Sequence, residues 1–83
     1  MADRVAAQVS LYPLRVPHLR PPIETFVRAL QQEGLEASMG PLSTMVEGDA
    51  EALFKAVAKA FAAAAQQQDV VLNLTVTNRK PDV

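Results

Sequence analysis

Hydrophobic and polar residues alternate with a period of two through the first part of the chain. Val5, Ala7, Val9 and Leu11 share one parity and Gln8, Ser10 and Tyr12 the other, the pattern of a strand with one face on a core. The run Gln8 to Leu14, led in by Val5-Ala6-Ala7, therefore predicts a first strand. Arg15 to Pro22 follows with three prolines, which remove backbone donors and disfavour helix before each of them, so it predicts a loop. The period then changes. Ile23, Phe26, Val27 and Leu30 recur at i, i+3, i+4 and i+7, predicting a helix from Ile23 to Glu33. Pro22 suits its first turn, Glu24 complements its N-terminus and Gly34 fits just past its end. Leu35 to Met39 alternates again, and Gly40-Pro41 supplies the turn of a hairpin.

The next strand, Leu42 to Glu47, has two possible orientations. Leu42, Thr44 and Val46 form one face and Ser43, Met45 and Glu47 the other, and parity alone leaves the inner face open. Asp49 offers an N-cap, with Glu51 in the first turn, for a helix from Ala50 to Gln67. Its expected buried stripe is Leu53, Phe54, Val57, Ala60, Phe61 and Ala64. The alanines favour helix and allow close approach to a sheet. Val70 to Thr77 alternates cleanly, with Val70, Leu72, Leu74 and Val76 set against Val71, Asn73, Thr75 and Thr77. The tail from Asn78 to Val83 is expected to fray.

Strand, helix, strand, strand, helix, strand is the ferredoxin-like βαββαβ order of the α+β class, a four-stranded antiparallel sheet with both helices on one face. That topology places the first strand between the third and the fourth. Gln8, Ser10, Asn73 and Thr75 then lie side by side on the open face. Since Val71, and Val46 in one of the two orientations of its strand, share that face with the polar groups, a second subunit's sheet is expected to stack on it.

Composition narrows the function. At 83 residues and 49% hydrophobic, the chain suits one domain over 1–83, near the size where a single core is only marginally stabilising and oligomerisation helps. It has no cysteine, hence no disulfide or thiolate metal site, and a cytoplasmic protein is the expectation. The net charge of −1 gives no basic excess for nucleic acid. No apolar run approaches the roughly 20 residues of a membrane span, and the N-terminus lacks signal-peptide order. His18, the only histidine, stands in the proline-rich loop without sequence-near ligand partners, so no metal site is expected. No histidine is placed to activate the hydroxyls, and Asp49 is better explained as a cap than as the acid/base partner of Glu47. A non-catalytic protein with no cofactor is expected. Arg15, His18 and Arg20 can meet an anion such as phosphate, although basic residues in a connection are usually just solvated.

Taken together, Ser10-Leu11-Tyr12-Pro13-Leu14, the stretch Gly40-Pro41-Leu42-Ser43-Thr44-Met45-Val46-Glu47-Gly48 and Asn73 resemble the thiamine-binding-protein family, which includes the YkoF-like proteins. The resemblance runs from about Ala7 to Asn78. It implies a ferredoxin-like fold, dimers or tetramers made by sheet stacking, and binding of thiamine or its hydroxymethylpyrimidine moiety near the subunit contact, in uptake or salvage of the vitamin. It further implies Ser10, Thr44 beside Ser43, and Asn73 as ligand-binding positions, with Thr44 on the open face and Met45 in the core. Glu47 stands where YkoF-like members carry a basic residue and another branch an acidic one. An aminopyrimidine presents ring-nitrogen acceptors and an amine donor, which Gln8, Ser10, Thr44 and Asn73 can match, with Thr75 beside Gln8. Tyr12 can stack on the ligand, and Tyr12 and Glu47 are the candidates for a thiazolium cation. The competing expectation is an oligomeric interaction or regulatory module without a small-molecule ligand.

Overall fold

The computed structural model describes residues 4–41 and 43–79. Its elements are β1 (Arg4–Pro13), α1 (Arg20–Gln32), β2 (Glu36–Met39), β3 (Thr44–Asp49), α2 (Ala50–Gln67) and β4 (Val70–Thr77). The strands form one antiparallel sheet in the order β2-β3-β1-β4. This is the ferredoxin-like α+β arrangement, with β1 between β3 and β4 as the order of elements implies. The proposed strand start at Leu42 and the end of the expected frayed tail, residues 80–83, lie outside the described residues.

The core lies between the sheet and the two helices. Val5, Ala7, Val9 and Leu11 of β1 meet Phe26 and Leu30 of α1 and Leu53, Ala56, Val57 and Ala60 of α2. α1 begins three residues earlier than the apolar period indicates, at Arg20, because Pro21 and Pro22 fit the first turn, where no N–H is needed. Glu24 consequently stands beyond that turn and pairs with Arg20 instead of capping. Gly34, at φ +87°, supplies the left-handed conformation that ends the helix. For α2, the Asp49 carboxylate accepts from the Ala52 N–H at 3.0 Å, an N-cap that also marks the end of β3.

Two expectations are corrected. The buried row of α2 is Leu53, Ala56, Val57 and Ala60, whereas Phe54 is 51% exposed and Phe61 and Ala64 are half-buried. At about 100° per residue Phe54 points roughly a quarter-turn away from the centre of that row, and the small Ala56 takes the place against the sheet. The second correction concerns β3. Thr44, not Met45, faces the helices: Thr44 is 5% exposed and Met45 51%. Turning Met45 inward would carry Glu47 inward with it, and an unpaired buried carboxylate is far costlier than a buried hydroxyl. The observed parity buries Val46 and Gly48 instead. Gly48 sits where the Leu35 side chain occupies the space a Cβ would need.

Candidate functional site

The site follows from strands of unequal length. β1 and β3 remain in register from Arg4↔Asp49 to Val9↔Thr44, and there the pairing stops. β1 continues against β4 as far as Pro13↔Val70. From Ser10 to Pro13, therefore, one edge of the central strand has no strand partner, and the backbone groups pointing that way are open to a ligand. Ser43 is next in line beside Ser10, but the chain has already turned. The Gly40 N–H donates to the Ser43 carbonyl at 2.8 Å, closing a tight turn in which a Cβ on Gly40 would lie 3.0 Å from that oxygen.

A cleft of about 530 Å³ fills the gap. Val9 to Pro13 of β1 and Leu14 just beyond it line the cleft, with Met39 to Pro41, Ser43 and Thr44 from the β2–β3 hairpin, and the N-cap Leu19 with Arg20 and Ile23 of α1. Its volume falls in the range of small-molecule sites. Of the seven large apolar side chains left exposed among the described residues, four line it: Tyr12, Leu14, Leu19 and Met39. A concave cluster of that kind marks a binding surface more specifically than scattered exposed residues would.

Thr44 is the feature that chemistry must explain. It is the buried polar residue of the described core, flanked in register by Val9 and Met39. Its hydroxyl has no hydrogen-bond partner among the described residues. No wholly buried side-chain polar atom is left unpartnered among them, and Thr44 is one of the residues that line the cleft.

The expected site residues divide into groups. Ser10, Tyr12, Ser43 and Thr44 come together in the cleft. Gln8 is tied to them, donating from Nε2 to the Ser43 Oγ at 3.0 Å. Asn73 lies opposite Ser10 and Thr75 opposite Gln8 on the open face, as the topology implies, but neither lines the cleft. Glu47 stands opposite Ala6 and Glu36 near the other end of the sheet, beside a separate hollow of about 140 Å³ shared with Arg4 and Asn78. Ser10, Thr44 and Asn73 thus do not form one open-face patch: Thr44 approaches from the helix side and Asn73 from across β1.

Leu19, Ile23 and Met39 are walls that periodicity did not single out as site residues. The available signal was Leu19, an apolar residue among prolines where no core face exists for it. Of the three basic loop residues, Arg20 alone lines the cleft. Arg15 leaves β1 at φ +59° and stands 3.7 Å from Asp69, with both side chains largely exposed.

A family model described as thiamine-binding protein matches residues 7–82. Among curated proteins none matches the chain by sequence. Several solved structures share the fold. A hypothetical protein from Methanocaldococcus jannascii is 24% identical, with 98% of this chain and 86% of that one covered and a TM-score of 0.85. A domain of unknown function from Bacillus cereus is 20% identical, with coverage of 94% and 78% and a TM-score of 0.79. A protein from Thermotoga maritima, proposed to act in thiamine biosynthesis or salvage, is 23% identical, with coverage of 88% and 81% and a TM-score of 0.78.

Proposed function

The chain belongs to the thiamine-binding protein family, and from that premise we propose that the cleft at the end of β1 binds thiamine or its hydroxymethylpyrimidine moiety without transforming it, in uptake or salvage of the vitamin. The observation that carries this is the Thr44 hydroxyl, which has no hydrogen-bond partner among the described residues and belongs to a nearly buried side chain at the wall of a mainly apolar cleft. An aminopyrimidine needs donors for its ring nitrogens and an acceptor for its amine. Each hydroxyl of Ser10, Ser43 and Thr44 can act as either. Leu19, Ile23 and Met39 offer apolar surface to the ring faces, and Tyr12 adds an aromatic edge with a polar tip. Among the described residues the lining holds no histidine, carboxylate or lysine that could serve as a general base for these hydroxyls, which supports binding over catalysis.

The test is calorimetric titration of the chain with hydroxymethylpyrimidine and with thiamine. Saturable binding that Thr44→Val weakens is the expected result. No heat and no thermal shift at millimolar concentrations of either compound overturns the proposal and favours an interaction module without a ligand.

Self-association through the open face belongs to the same proposal. Tyr12, Met45 and Val71 are each about half exposed there, among the uncharged Gln8, Ser10, Asn73 and Thr75. This part of the face carries no charge, Glu36, Glu47 and Arg4 lying toward the other end of the sheet, so it can meet its own copy without like-charge repulsion. Tyr12 also lines the cleft, so a stacked second copy would lie close to its mouth. Sedimentation equilibrium should show dimers or tetramers, and a monomer at high micromolar concentration would overturn this part.

A further inference from the structure

Charge separates the ligands that the proposed function leaves together. Among the described residues lining the cleft, Arg20 is the one that carries a charge. Glu47, the carboxylate expected to meet a thiazolium cation, lies beside a different hollow, and among the described residues no carboxylate lines the cleft. A cation entering here meets a guanidinium whose carboxylate partner, Glu24, stands outside the lining, whereas an anion meets complementary charge.

The guanidinium is also only partly used. Its Nε donates to Glu24 Oε2 at 3.1 Å, and the Nη groups, which carry four of its five donors, have no hydrogen-bond partner among the described residues. The Glu24 contact is a solvent-exposed i, i+4 pair, a kind that is held weakly and displaced readily. Arg20 opens α1, whose first turn contains no acidic residue and whose N-cap Leu19 provides no side-chain cap, so the positive end of the helix dipole is uncompensated beside it. Pro21 and Pro22 withdraw two backbone donors from that turn, which leaves the side chain as the group that would make the contact.

We propose that the cleft takes its pyrimidine ligand as a phosphate monoester, with the Nη groups of Arg20 holding the phosphate at the mouth while Ser10, Ser43 and Thr44 hold the ring. This rests on the pyrimidine-binding function proposed above. Two compounds carry the required chemistry, the phosphate ester of hydroxymethylpyrimidine and thiamine monophosphate. They differ in the distance from ring to phosphate.

Calorimetric titration of the whole chain with hydroxymethylpyrimidine, its phosphate ester, thiamine and thiamine monophosphate decides the matter. At least one ester should bind about tenfold or more tightly than its own parent alcohol, and the gain should shrink at high salt. The ester that shows the gain identifies the source. Arg20→Gln should bring the ester-to-alcohol affinity ratio to about one, and Glu24→Gln, which removes the competing carboxylate, should raise it. Equal affinities for esters and alcohols in the wild type overturn the phosphate site while leaving the pyrimidine-binding function standing. Absence of binding by all four compounds overturns both. A ratio that Arg20→Gln leaves unchanged, in a variant whose thermal unfolding matches wild type, removes Arg20 as the anchor.

Discussion

Replacing Thr44 by valine separates ligand recognition from folding, because the two predict opposite signs. The side chain is 5% exposed and its hydroxyl has no protein hydrogen bond among the described residues, so valine breaks no internal bond there and keeps the β-branched shape suited to a strand. Exchanging a hydroxyl for a methyl at a nearly buried position adds at most about 0.8 kcal/mol of apolar burial. For a domain of this size about 1 kcal/mol corresponds to roughly 4–8 °C in Tm, so Tm should stay level or rise by a few degrees. Binding should move the other way. A ligand polar atom that loses its partner in the cleft costs about 1–3 kcal/mol, or a fall of about 5- to 150-fold in affinity. Differential scanning calorimetry of the free protein and titration with hydroxymethylpyrimidine give both quantities from one preparation. Thr44→Ser is the complement: it keeps the hydroxyl and removes the methyl, and should lower Tm while retaining most of the affinity. A Tm loss of several degrees in Thr44→Val would make the hydroxyl a structural group. Affinity within twofold of wild type would take it out of the site.

Asn73→Ala should change ligand affinity by less than about threefold, since Asn73 lies across β1 from the cleft; a loss of the size expected for an unpaired hydrogen bond would move the ligand to the open face. Glu47→Gln should likewise leave affinity unchanged in the same titration, because the residue lies beside another hollow. Asp49→Ala removes the cap on α2 and should cost about 1 kcal/mol, read as a lowered midpoint in urea with an unchanged slope. Gly48→Ala drives a methyl into the buried Leu35 side chain and should cost about 1–3 kcal/mol. Leu35→Ala should recover part of that in the double variant, and strictly additive losses would show that the two side chains do not meet.

The element order, the central place of β1 and the ends of α2 and β4 could be read from the sequence because period, caps and breakers agree there. Asp49 ends a strand and caps a helix with one side chain. β3 is different. Its six residues offer two faces of similar hydrophobicity, and only the cost of burying Glu47 chooses between them. Family resemblance placed Thr44 with Ser10 and Asn73, yet the pleat sends Thr44 to the opposite side of the sheet from both. The Phe54 error has the same origin. An apolar stripe on an alanine-rich helix can be drawn at more than one angle, and contact with the sheet selects the one that puts Ala56 inside.

The cleft itself has no periodic signature, because it arises from a mismatch between elements. β1 has ten residues, β3 six and β2 four, so the central strand outlasts its neighbours on one side. A loop crowded with prolines then starts α1 close to the uncovered edge, bringing Leu19, Arg20 and Ile23 to face Met39 and Ser43. A longer hairpin would pair Ser10 to Pro13, satisfy their backbone and seal Thr44 into an ordinary core. The shortness of β2 and β3 is therefore what leaves a hydroxyl, an open strand edge and an arginine around one space. Lengthening the hairpin by one residue pair beyond Thr44 should stabilise the sheet and abolish ligand binding together. If binding survived that extension, the uncovered edge of β1 would not be the site.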